Sequence, residues 1–91
     1  MNKGELVDTV AAKTNITKKQ ADEVISAFLE VVTEAVANGE KVTLIGFGSF
    51  ERRKRSEREG LNPKTKEKIT IPATRVPAFS AGKRFREKVA P

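Results

Sequence analysis

Apolar residues recur at Leu6, Val7, Val10, Ala11 and Ala12, the spacing of one helical face, and Asn2 with Glu5 three residues on has the composition of a capping box. Thr14-Asn15 interrupts that pattern. Thr17 and Gln20 then form a second capping box ahead of a longer helix with Ala21, Val24, Ile25, Phe28, Leu29, Val31, Val32, Ala35 and Val36 on its apolar positions. Asn38-Gly39 ends it, because glycine takes the left-handed conformation without a Cβ clash. Ala27, Phe28, Val31 and Val32 spread over more than one seam, wider than a short partner helix covers. That surface faces either the chain's own sheet or another subunit.

From Lys41 the period changes to two. Val42 and Leu44 alternate with Thr43, and Gly46-Phe47-Gly48-Ser49-Phe50 reverses the chain into a new strand, with Phe47 and Phe50 assigned to the core. The two glycines superficially resemble a phosphate-cradling loop, but the third glycine and the following helix are missing, so a turn is expected. Residues 52–68 come next, with eight basic and three acidic side chains. Gly60 and Asn62-Pro63 read as a turn cluster, and Ile69-Thr70-Ile71-Pro72 with Arg75-Val76-Pro77 as a returning strand whose prolines imply an edge. The simplest shape is a long β-hairpin whose limbs of about nine residues reach roughly 30 Å. Alternation sends Arg53 and Arg55 one way and Arg52, Lys54 and Arg58 the other. With no apolar face the limb cannot pack on a core and is expected to project as an arm. Ser80 is the expected cap of a final helix from Gly82 to Val89, with Phe85 and Val89 facing inward.

Composition narrows what such a chain can do. Ninety-one residues make one domain, divided here into a helical pairing part (1–40), a sheet and arm (41–80, the arm about 52–74) and a C-terminal helix (81–91). A chain this short builds a marginal core. There is no cysteine for a disulfide or thiolate cage and no histidine as general base or metal ligand, so oligomerisation is the remaining support. Tyrosine is also absent and the carboxylates form no convincing pair, which excludes an enzyme; neither metal nor cofactor is expected. No run reaches the roughly 18 apolar residues needed to span a bilayer, and the chain opens on a charged amphipathic segment unlike a signal peptide. It reads as intracellular, and the glycosylation triplet Asn15-Ile16-Thr17 as chance.

The net charge of +6 is unevenly spread: residues 1–40 carry a balance of −3 and residues 41–91 a balance of +9. One half is thus suited to folding or pairing and the other to a polyanion, nucleic acid first and an anionic membrane second. An arginine-rich ribbon suits the narrow, electronegative minor groove of A·T-rich DNA. With about five to eight phosphates neutralised per site, affinity would fall steeply with salt, by a slope of about 0.9 per contact. Pro63 at the tip serves either as a turn former or as a wedge between base pairs. All five phenylalanines sit in apolar contexts and none falls between 51 and 78, so no platform for stacking unpaired bases is visible; structured RNA, bound by charge and shape, is a secondary partner.

Gly46-Phe47-Gly48-Ser49-Phe50, followed by Arg53, Arg55, Arg58, Gly60 and Asn62-Pro63-Lys64-Thr65, resembles the signature of the bacterial histone-like HU proteins, a family that includes integration host factor. The resemblance continues through Ile71-Pro72-Ala73, Val76-Pro77-Ala78-Phe79 and Ala81-Gly82-Lys83, spans essentially all 91 residues, and is similar in wording to cyanobacterial members. It implies an α+β fold of the integration host factor type: an intertwined homodimer with a helical base, a β-sheet saddle and two protruding β-ribbon arms. Arg53, Arg55 and Arg58 would enter the minor groove and Pro63 would intercalate. Arg52, Asn62, Lys64 and Lys66 are further DNA-binding candidates on the arm, and Lys3, Arg75, Lys83 and Arg86 would meet flanking phosphates. Phe47, Phe50 and Phe79 would lie in the dimer core, completed by Phe28, Leu29, Val32 and Leu44. Leu61 departs from the family, many members having a basic residue there.

The function implied is largely sequence-independent binding and bending of double-stranded DNA, with condensation of the bacterial nucleoid in the cytoplasm and no small-molecule substrate or membrane partner. Two alternatives stand beside it: sequence-specific bending of the integration host factor kind, for which no base-reading residues are identifiable, and a structural homodimer whose basic arm is only solvated.

Overall fold

Asn2 opens the first helix as its composition predicts: its Oδ1 accepts the Glu5 backbone N–H at 2.9 Å, and α1 runs Lys3–Thr14. The computed structural model describes residues 1–90; Pro91, assigned above to the segment 81–91, lies outside them. Two compact units divide the chain, Met1–Glu34 and the residues from Ala35 on.

In the first unit α1 stops at Asn15, whose φ of 57° is left-handed, and α2 begins at Lys18 and runs to Ala37. The second capping box is reciprocal: the Gln20 N–H donates to Thr17 Oγ1 at 3.1 Å, and the Thr17 N–H donates to Gln20 Oε1 at 3.0 Å. Val7, Ala11 and Ala21 form the buried core between the helices, with Val10 and Ile25 packed on it. This core is small because its members are small, and the bulkier apolar residues of α2 stay outside it: Phe28 is 44% exposed and Leu29 49%.

The second unit begins with the last turn of α2. There the Gly39 N–H reaches the Val36 carbonyl at 3.0 Å and the Glu40 N–H reaches that of Ala35 at 2.8 Å, a pairing made by the φ of +87° at Gly39. Strand β1 (Val42–Leu44) turns through Ile45-Gly46-Phe47 into β2 (Gly48–Arg55), and β2 pairs with β5 (Thr74–Ala81) from Gly48↔Ala81 to Arg55↔Thr74. The sheet order is β1-β2-β5, all antiparallel. Since β1 reaches only as far as Phe50, the rest of the β2–β5 pair is a two-stranded ribbon. Pro77 sits on the edge strand β5, as its missing N–H requires. At the root of the ribbon the rings of Phe47, Phe50, Phe79 and Phe85 are stacked at tilted angles, with centroids 4.9 to 6.2 Å apart.

Three local expectations are corrected. The arm is not one uninterrupted hairpin: the ladder stops at Arg55↔Thr74 and resumes as β3 (Arg58–Leu61) against β4 (Lys68–Ile71). Pro72, in the gap, has no N–H to give a ladder and restricts the residue before it. Gly60 belongs to β3 rather than to the turn, and its missing side chain leaves room for Ile71, whose Cδ1 would lie 3.1 Å from a Cβ there. Ser80 does not cap the last helix. It lies in β5 opposite Ser49, and α3 (Lys83–Val89) starts after Gly82 with no side-chain cap. Backbone bonds to the β1–β2 turn hold this start instead, from the Gly82 N–H to the Phe47 carbonyl at 2.7 Å and from the Phe85 N–H to that of Gly46 at 3.2 Å. A Cβ on Gly82 would come within 3.0 Å of that turn's backbone.

Candidate nucleic-acid interface

The register of β2 against β5 assigns the cations of the lower ribbon to faces. Side chains alternate along a strand, and directly paired residues share a face. One face therefore carries Glu51, Arg53 and Arg55 with Thr74, Val76 and Ala78. The other carries Phe50, Arg52 and Lys54 with Arg75, Pro77 and Phe79. Arg53 and Arg55 share a face and Arg52 and Lys54 the opposite one, as expected. The alternation does not extend to Arg58, because the ladder breaks at Ser56-Glu57 and Arg58 restarts it opposite Ile71.

Among the described residues, the eight basic side chains of 52–68 find a single carboxylate partner: Arg53 Nε lies 3.0 Å from Glu51 Oε1. Arg53 also donates through Nη2 to Ser80 Oγ at 3.1 Å, so the hydroxyl expected to cap a helix orients an arm arginine. Arg52 is held differently, its Nη1 donating to the Ala37 carbonyl at 3.0 Å. Lys54 stands directly across from Arg75, a like-charged cross-strand pair that costs stability in the free protein and suits a shared anion. Lys54 is absent from the set singled out by sequence; its signal is the register, which joins positions 21 residues apart.

At the tip Asn62 works within the turn. Its Oδ1 accepts the Lys64 N–H at 2.9 Å, its carbonyl the Lys66 N–H at 2.7 Å, and its own N–H donates to the Glu67 carbonyl at 2.9 Å. Lys66 adopts the left-handed conformation, with a φ of 58°. This lattice presents Pro63, Lys64 and Lys66 as exposed residues around a partly buried Asn62. Leu61, at the end of β3, is 65% exposed.

The body candidates are dispersed. Lys3, in the helical unit, donates to Ser26 Oγ at 2.8 Å with Asp22 Oδ1 3.6 Å away. Arg75 lies on the ribbon, and Lys83 and Arg86 lie on α3, where Lys83 comes within 3.9 Å of Glu87. Of the residues expected at a dimer core, Phe28, Leu29, Phe47 and Phe79 are exposed in the single chain and Val32, Leu44 and Phe50 half-buried. Among the described residues no acidic cluster is gathered that could hold a metal, and no helix is long and apolar enough to cross a membrane.

Known proteins match this arrangement over its whole length. A family model described as bacterial DNA-binding protein matches residues 1–90. The DNA-binding protein HU of Nostoc sp. is 72% identical over 91 residues, covering 100% of this chain and 97% of the relative. That of Synechocystis sp. is 63% identical over 97 residues, with coverages of 100% and 97%. Among solved structures, an Anabaena HU–DNA cocrystal structure superposes with a TM-score of 0.96 at 72% identity, covering 100% of this chain and 99% of that one. HU from Thermotoga maritima gives 0.69 at 38% identity, covering 98% of each chain.

Proposed function

Since this chain belongs to the bacterial DNA-binding protein family, as a member of the HU type, it is an architectural protein that binds double-stranded DNA, and we propose that it does so by laying its ribbon in the minor groove and wedging Pro63 between base pairs. One observation carries the reading: of the eight cations between 52 and 68 only Arg53 meets a carboxylate, on a ribbon that no third strand flanks beyond Phe50. Such a surface repels itself until an anion arrives, and the spaced phosphates of a duplex supply one. Arg53, Arg55 and Arg58 enter the groove, Lys64 and Lys66 contact the strands beside the tip, and Lys3, Arg75, Lys83 and Arg86 hold flanking phosphates.

Pro63 acts as the wedge because the bonds around Asn62 fix the turn that presents it. Unstacking one base step costs about a few kcal/mol in minor-groove architectural proteins, HU and integration host factor being examples of that class, and is offset by contacts that only a bent duplex makes.

The active species is a homodimer. The described residues bury only four hydrophobic side chains, Val7, Ala11, Ala21 and Val36, none of them large. Each unit has apolar surface of its own for a second copy to cover: in the second an open groove of about 420 Å³ lined by Ile45, Phe47, Phe85 and Val89 together with Arg84 and Lys88, and in the first the exposed Phe28 and Leu29 of α2. The dimer works in the cytoplasm on the bacterial nucleoid, and its function is binding, not catalysis.

The test is a short A·T-rich duplex carrying donor and acceptor dyes on its ends, titrated with wild type and Pro63→Ala across a salt series. Wild type is expected to shorten the end-to-end distance with a steep salt slope, and Pro63→Ala to bind with the same slope but bend less. A duplex left straight by wild type would reduce the arm to an electrostatic clamp, and no binding would overturn the function.

A further inference from the structure

Of the three helices, α2 alone has no basic residue in its last turn; α1 ends with Lys13 and α3 with Arg86 and Lys88. A helix leaves four carbonyls without intrahelical partners and a partial negative charge at its C-terminus, so a cation there is stabilising. At the end of α2 the Gly39 turn satisfies the carbonyls of Ala35 and Val36. The Ala37 carbonyl is taken by Arg52, whose Nη1 donates to it at 3.0 Å across 15 residues of chain. The same guanidinium closes over the turn, since a Cβ on Gly39 would lie 3.0 Å from Nη2 of Arg52. Arg52 is also the first cation of the ribbon, paired with Pro77 two residues beyond the Phe50↔Phe79 pair.

We infer that Arg52 is a positioning residue at the root of the arm: it supplies the cation that α2 lacks, ties the start of the ribbon to the helix end, and does not count among the phosphate contacts. Its neighbours along the strand divide the work, Arg52 being spent on the helix and Lys54, beside Arg75, left free for an anion. The inference rests on the reading of the ribbon as the DNA-binding arm.

Arg52→Met removes the donor and keeps the stem, Arg52→Lys keeps a donor and the charge, and Arg55→Met is the reference for a groove arginine. Thermal melts at one fixed protomer concentration, amide hydrogen exchange of residues 53–55, and affinity for the duplex across the salt series are measured on each. Arg52→Met is expected to melt about 2 to 6 °C below wild type, to exchange faster at 53–55, and to keep the wild-type salt slope. Arg52→Lys should recover most of both losses, and Arg55→Met should lose about 0.9 of slope at an unchanged melting temperature. A slope reduced by about 0.9 in Arg52→Met would make it a phosphate contact and overturn the inference. A lower melting temperature with unchanged exchange at 53–55 would leave a helix cap without positioning, and no change in either would show the bond idle; both overturn it. If Arg55→Met keeps the full slope, the reading of the arm fails, while melting and exchange still judge Arg52.

Discussion

At Gly48, where β2 begins, an alanine Cβ would lie 2.5 Å from Cζ of Phe79, 2.7 Å from its Cε1, and 2.5 Å from the carbonyl oxygen of Ser80. Neither neighbour can yield cheaply. The Ser80 carbonyl belongs to the ladder, whose register pairs Gly48 with Ala81 and Ser49 with Ser80. The Phe79 ring, though partly open to solvent, packs on Phe50, Phe47 and Phe85 with centroids at 4.9, 5.4 and 6.2 Å, contacts it would lose by turning away from a methyl. Forcing a methyl into such a site costs about 1 to 3 kcal/mol in displaced neighbours. The positive φ of 155° adds about 1 to 3 kcal/mol for a residue with a Cβ. Gly48→Ala should therefore lose about 2 to 6 kcal/mol from a total stability of about 5 to 15 kcal/mol. For a domain of this size each kcal/mol is worth about 4 to 8 °C, so the melting temperature should fall by at least about 8 °C. Circular dichroism melts of both proteins at one protomer concentration read this directly, the concentration being fixed because folding and pairing are coupled. Gly4→Ala is the control of opposite sign: its Cβ meets only Asn2 Oδ1 at 3.4 Å, and alanine is the better helix former by up to about 1 kcal/mol. A Gly48→Ala protein melting within about 3 °C of wild type would refute the packing argument at the ribbon's root.

Lys54→Met should stabilise the free protein by about 0.2 to 1 kcal/mol, by removing its repulsion with Arg75, and lower the salt slope by about 0.9. Melting and the salt series read the two effects separately, and an unchanged slope would take Lys54 off the DNA surface. Leu61→Arg places a cation on an exposed position beside the tip and should steepen the slope by about 0.9; no change would show that the position faces no phosphate. Thr17→Ala breaks the bond from the Gln20 N–H and should cost about 0.5 to 2 kcal/mol in a thermal melt with no effect on the salt slope; a changed slope would give Thr17 a part in binding.

Features readable from the sequence are those made by neighbours in the chain. Asn2 with Glu5, Thr17 with Gln20, and Gly39 place the helix ends within a residue or two, because each cap is a bond across three to five residues. The reversal at Gly46, the concentration of charge between 52 and 68, and the proline at the tip were legible for the same reason. So was the need for a partner, since a short chain without cysteine cannot bury enough.

What only the tertiary structure decided depends on pairs distant along the chain. Ser80 is as good a helix cap as any serine, yet it lies in β5 because the turn at Gly46-Phe47 binds the backbone of Gly82 and Phe85 and begins the helix there. Arg52 reads as a DNA-binding cation and Lys54 as one more charge on its face until the structure sets Arg52 beside Pro77 and the helix end and Lys54 beside Arg75. Gly60 reads as a turn residue until the β3–β4 pairing brings Ile71 onto it. The amino-acid order determined the elements, the charge and the class of partner, because propensity, capping and composition are local or additive. Which cation meets the helix end and which stands across from Arg75 is a matter of register, and register is set by contacts that form only when strands far apart in the chain meet.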